Sequence, residues 1–107
     1  MANSTYNYFL DELKPGTILI CEWGYSMTIV HFYRVISTRG TATVVLQKLK
    51  NTVLDGDGWS GNCIPSAEPA GEPFTARWSR KSQCVKLSKY EHLKIWGGEP
   101  AYFNHLD

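Results

Sequence analysis

No apolar run in the sequence approaches the roughly 20 residues that a membrane-spanning helix needs, so no membrane contact is expected. The opening Met-Ala-Asn-Ser-Thr-Tyr has no basic stretch leading into an apolar core, so no secretory signal is expected either. Cysteine is scarce. Cys21, Cys63 and Cys84 are odd in number and widely spaced, which excludes a disulfide framework and any C-x-x-C metal or redox motif. A cytoplasmic, reducing compartment fits this usage. His31, His92 and His105 fall at no metal-ligand spacing from one another or from a cysteine, so neither a zinc site nor another cofactor is expected. Sequences of the G-x-S-x-G, Walker A and H-E-x-x-H types are also missing.

Two partial motifs fail on chemistry. Gly56-Asp57-Gly58-Trp59-Ser60-Gly61 matches G-x-G-x-x-G, but an acidic loop precedes it and Asn62-Cys63-Ile64-Pro65 follows. A dinucleotide fingerprint requires a strand before and a helix after, to aim backbone amides at the pyrophosphate. Asp55-Gly56-Asp57-Gly58 resembles part of a calcium loop. Aligning Gly58 with the loop's turn glycine puts Val53 and Ile64 where the first carboxylate and the closing glutamate belong.

What is present describes one small folded domain. A chain of 107 residues has room for one core, and 43% hydrophobic against 20% charged residues excludes disorder. Four Trp and six Tyr supply large buried area or a binding face. The net charge of +1 excludes a generally basic coat, yet the charges come in blocks. Residues 23–50 hold Arg34, Arg39, Lys48 and Lys50 and no acid, and residues 51–72 hold only acids. Residues 73–96 set Arg77, Arg80, Lys81, Lys86, Lys89 and Lys94 against Glu91 alone. Should the basic blocks meet in space, a nearly neutral protein would carry a positive face.

Along the chain, residues 3–13 predict a short helix within an N-terminal lead-in of residues 1–14. Tyr6, Phe9, Leu10 and Leu13 share its apolar face, and Pro15-Gly16 stops it. Strands are predicted over 17–23, 27–37 and 41–49, with a turn at Thr38-Arg39-Gly40. The second is apolar at both parities, which marks either a central strand or one with a packed face and a binding face. Residues 50–61 and 66–73 predict loops by their Gly, Pro, Asn and Asp content. Short strands are predicted at 62–65, 74–78, 83–87, 93–96 and 101–103. The expectation is a single all-β domain over residues 1–107, a small SH3-like barrel or strongly bent antiparallel sheet of six or seven strands.

Candidate chemistry is limited. Arg77-Trp78-Ser79-Arg80-Lys81 interleaves a ring with cations, the composition of a nucleic-acid or nucleotide contact. Tyr25, Tyr33, Arg34 and Lys48 are candidates for the same surface. Cys21 or Cys63 with His31 as base would be the enzymatic alternative, although a lone cysteine is usually a small buried hydrophobe.

The run Trp23, Gly24, Tyr25, Thr28, Phe32, Tyr33, Val35 resembles a signature of small phage and mobile-element proteins, which reads Trp-Gly-Tyr-Asp-Gln-Thr-Asn-x-Asp-Phe-Tyr-Gln-Val. Trp96-Gly97-Gly98-Glu99-Pro100 is similar to their closing Trp-Asp-Gly-Lys-Pro segment. The chain departs at polar positions, with Ser26, Met27, Ile29 and His31 in place of Asp, Gln, Asn and Asp. The resemblance implies a phage-type accessory protein in a bacterial cytoplasm. The expected function is non-enzymatic binding to a host protein or nucleoprotein, of which an anti-CRISPR-like inhibitor is the concrete form. Direct binding of nucleic acid or a nucleotide is the alternative. The candidate binding residues are Trp23, Tyr25, His31, Tyr33, Arg34, Arg77, Trp78, Arg80 and Lys81.

Overall fold

The computed structural model describes residues 13–24, 28–56 and 59–104. The helix predicted over 3–13 lies, apart from Leu13, outside the described residues. Among those residues the chain is all-β, with eight strands and no helix, and therefore no helix long and apolar enough to cross a membrane. The strands are β1 (Ile18–Trp23), β2 (Ile29–Arg39), β3 (Thr43–Gly56), β4 (Ser60–Pro69), β5 (Phe74–Ser79), β6 (Cys84–Lys86), β7 (His92–Ile95) and β8 (Ala101–Asn104).

Six of them close on themselves. Antiparallel pairing runs from β1 to β2, β3, β5, β6 and β7 and back to β1, which leaves this barrel without a free edge. Inside lie Leu19 and Cys21 of β1, Tyr33 and Val35 of β2, and Val44 and Leu46 of β3. Trp78, Val85 and Leu93 fill the side formed by β5, β6 and β7, and Leu13 joins the same core from the lead-in. Ile36 is the extra residue of a bulge between Val35 and Ser37, so it points outward without breaking the barrel.

The two apolar faces of β2 are both packed. Val30 and Phe32 point away from the barrel into a second core with Ile20, Leu49, Cys63, Ala101 and Phe103. This core is closed by the distal half of β3, by β4 and by β8, and β8 returns to the barrel at Thr28. The Thr28 and Asn104 backbones exchange bonds of 2.7 and 3.0 Å. Trp96 caps the second core, its ring meeting Phe32 edge-on at 5.7 Å.

The loop predicted over 50–61 is corrected by this arrangement. β3 continues through Asn51, Thr52 and Val53 to Gly56, and β4 pairs back along it, extending into the second predicted loop as far as Pro69. The sequence is loop-like here because this arm is exposed along β3 and so lacks two-residue alternation. Its glycines serve close approach instead. Gly56 and Gly61 pair at φ 129° and 157°, and a Cβ on either would run into a backbone carbonyl of the facing strand. The barrel is the small antiparallel one that the sequence predicts, closed by six strands, and β4 and β8 bring the described strands to eight.

Candidate functional site

Strand parity divides the sequence candidates between core and surface. Trp78 is 2% exposed and Tyr33 is similarly buried, their rings inside the barrel, with Tyr33 meeting Phe74 edge-on at 5.9 Å. Neither ring offers a face for stacking. Burial pushes the Tyr33 hydroxyl up to about 12, since a phenolate would lose its hydration there. Arg77, one residue along, points out and is exposed. Arg80 is partly tied down, its Nη2 donating to the Thr41 carbonyl at 3.1 Å. Lys81 is exposed in the turn after β5. Arg34 sits on β2 opposite Ile18 and Gln47, whereas Arg77 lies opposite Thr43, four residues or about 13 Å further along β3. The eight described candidates therefore do not form one surface. Tyr25 is outside the described residues.

A different set does come together. In β5, β6 and β7 the inward residues Trp78, Val85 and Leu93 are flanked by polar and basic residues, which the two-residue period throws outward. Arg77, Lys86, His92 and Lys94 all lie exposed on the outside of this wall, and Lys86 stands directly opposite His92. No acid occurs in these three strands. Lys81 and Lys89 extend the wall at its two turns. The nearest acid in sequence, Glu91, is half-buried and engaged, its Oε1 accepting from the Ser88 hydroxyl at 3.1 Å. Two acids of the middle block lie on the arm: Asp55 accepts from both nitrogens of Asn62, and Glu68 pairs with Lys50 at 3.2 Å.

The cysteine alternative brings its two partners together with the thiol buried. Cys21 and His31 face each other across β1 and β2. Burial, and then the charge of Glu91, pushes the Cys21 thiol up to about 11, so it is protonated at neutral pH. Burial also raises the Cys63 thiol. His31 is shifted down, first by burial and then by the Lys48 ammonium. Among the described residues no cluster of three or more His, Cys, Asp or Glu could hold a metal ion.

Comparison with protein-family models, curated proteins and solved structures returns no match. The roles of residues accordingly rest on their placement. The described members of the Trp-Gly-Tyr-x-x-Thr run are divided between the cores: Tyr33 and Val35 inside the barrel, Phe32 in the second core, and Trp23 packed at the barrel's margin. Trp96, from the C-terminal part of the resemblance, touches Phe32 from the first. Both stretches thus build one packing unit.

Three concavities stand out among the described residues, one of about 550 Å³ bordered by Ser82, Gln83, Cys84, His92, Lys94 and Ile95. Glu22, Trp23, Gly24 and Tyr90 border a shallow one of about 430 Å³. A larger cleft of about 630 Å³ opens where β2 and β3 part beyond the Phe32–Leu49 pair. Asn51 bridges that gap, its Nδ2 donating to the Val30 carbonyl at 2.9 Å.

Proposed function

We propose that this chain is a non-enzymatic binding protein of phage type that docks on a bacterial host nucleoprotein, as an anti-CRISPR-like inhibitor would. The observation that carries the reading is the outer wall of β5, β6 and β7, where Arg77, Lys86, His92 and Lys94 are exposed with no acid among them. On a protein of net charge +1 such a wall is a local positive field, which attracts a polyanion and orients the encounter. The phage-type signature supplies the context of a host bacterium, and the raised Cys21 thiol supports a binding role over thiolate chemistry. The working place of such a protein is the bacterial cytoplasm.

Retention of purified CRISPR ribonucleoprotein effectors on the immobilised protein tests this reading. A stoichiometric complex is expected with the native chain, and the Lys86→Glu/Lys94→Glu variant is expected to lose it. Equal retention by that variant, or none by the native chain, overturns the reading.

Direct binding of free nucleic acid is the second reading, favoured by the same wall. It differs in needing no host protein: a labelled oligonucleotide alone would bind, and affinity would fall steeply with salt. Removing one cation that touches a phosphate would flatten the slope of log K against log salt by about 0.7 to 0.9. Trp78→Phe is expected to leave either interaction unchanged, because that ring is 2% exposed.

A further inference from the structure

On the outer wall of β5, β6 and β7 the strand register gathers nitrogen donors around one point. Lys86 and His92 stand directly opposite each other, about 5 Å apart at Cβ. Lys94 lies two residues beyond His92 on the same face of β7, about 7 Å further along. One step from the Val85–Leu93 pair, Cys84 comes level with Lys94. These four side chains share the outward face, while Val85 and Leu93 point into the barrel. His92 and Lys94 border the concavity of about 550 Å³, with Cys84 and the turn residues Ser82 and Gln83 beside them. The turn is held in place. The Ser82 amide donates to the Ser79 hydroxyl at 3.2 Å, and Gln83 donates from Nε2 to the Arg80 carbonyl at 2.8 Å.

Neither lysine has an acid opposite it. Lys86 has His92 on one side and, a step from the Trp78–Val85 pair, Arg77 on the other. Lys94 lies between Cys84 and Ile20. Both lysines are exposed, and neither makes an ion pair among the described residues. The acid level with this group is Glu22 of β1, which follows the Cys21–Leu93 pair and so comes beside His92. Arg77, Lys86 and Lys94 against Glu22 leave two positive charges uncompensated. A phosphodiester brings one negative charge to such a point. A phosphomonoester brings about −1.5 to −2 at neutral pH and turns out three oxygens, one for each of Lys86, His92 and Lys94. The concavity is larger than a phosphate, and Ile95 at its margin is 39% exposed, so a sugar and base have room to follow. We propose that this part of the wall seats a nucleotide phosphomonoester, its phosphate among Lys86, His92 and Lys94 and its nucleoside over Ser82, Cys84 and Ile95. The inference rests on the reading of the wall as a surface for a polyanion and names the group it grips. A free nucleoside 5′-monophosphate and the 5′-phosphorylated end of a nucleic acid both present that group.

A short single-stranded oligonucleotide with and without its 5′-phosphate makes the first comparison on the full chain. The phosphorylated form is expected to bind at least about tenfold more tightly, the worth of a charge-assisted contact. Adenosine 5′-monophosphate is expected to shift the backbone amides of Cys84, His92 and Lys94, and adenosine to leave them in place. Lys94→Ala, a change at an exposed position, is expected to erase the preference for the phosphorylated form. Adenosine monophosphate binding as tightly as the phosphorylated oligonucleotide assigns the seat to free nucleotides, and tighter binding of the oligonucleotide assigns it to chain ends. Equal affinity for the two oligonucleotides, an unchanged preference in Lys94→Ala, or amide shifts centred elsewhere overturns the proposal. A phosphoserine peptide that binds as tightly as adenosine monophosphate overturns it as well. Equal affinity that Lys86→Glu/Lys94→Glu abolishes would remove the seat and keep the wall as a polyanion surface. Failure to bind either oligonucleotide or the ribonucleoprotein would remove the wall reading itself.

Discussion

Cys21, His31 and Tyr33 are ionisable groups placed where ionisation is disfavoured, and this gives stability a definite dependence on pH. The Cys21 thiol is raised from 9.0 to about 11 and the Tyr33 hydroxyl from 10.0 to about 12. Each group keeps its proton in the folded state and releases it sooner when unfolded. Their stabilising contribution is complete below the unfolded values and is lost as pH climbs toward the folded ones. His31 has the opposite bias. Its folded value lies below 6.5, so the unfolded chain takes up the proton first and stability falls as pH drops through that range. The melting temperature is therefore expected to fall on both sides of neutrality. Cys21→Ala should flatten the alkaline limb between pH 9 and 11, and His31→Gln the acid limb below 6.5, both read by calorimetry across pH. At this scale the sequence is legible only in part. The alternation of Arg77 with Trp78 already contains the answer that one points out and the other in, but the cations around Trp78 disguise a core ring as a surface one.

Among elements, β2 is the one both halves of the fold depend on, because its two faces belong to different cores. The sequence displays that property as apolar residues at both parities; what it does not display is whether the second face meets protein or a partner. The answer depends on β4 and β8, which lie far away in the chain and whose own patterns are weak. The arm from β3 and β4 escapes pattern reading for a related reason. Val53 is 56% and Leu54 51% exposed, so apolar and polar positions there do not alternate with burial. Their pairing comes from the facing strand and the Gly56–Gly61 approach. Phe32→Ala tests the importance of the second core. Phe32 is fully buried and supports Trp96, so its truncation is expected to destabilise the fold by about 3 to 5 kcal/mol in denaturant unfolding. A change below about 1 kcal/mol would mean that the outer face of β2 contributes little.

For the whole molecule, the two cores share a wall, and neither can lose it alone. Opening the second core uncovers Ile20 and Phe32 on the back of the strands whose fronts carry Leu19, Cys21, Tyr33 and Val35. A single cooperative transition is expected. The tryptophans report on it separately, since Trp78 lies in the barrel and Trp96 over the second core. Urea curves from proteins that carry Trp23→Phe and Trp59→Phe together with either Trp78→Phe or Trp96→Phe, each normalised to its own baselines, should match those from circular dichroism. Separate midpoints for fluorescence and dichroism within one variant would show that the cores part independently.

The shared wall also sets an order of events during biosynthesis. The chain emerges from the ribosome from its N-terminal end, so all six barrel strands are available once β7 has left it, before β8 has. The apolar backs of β1 and β2 then still await β8, which follows after Trp96 and the residues up to Pro100. For that interval the nascent chain presents Ile20, Phe32 and Leu49 to the surrounding solvent. Slow emergence of residues 96–104 from the ribosome would lengthen this exposure, and with it the chance of capture by chaperones or by another nascent chain.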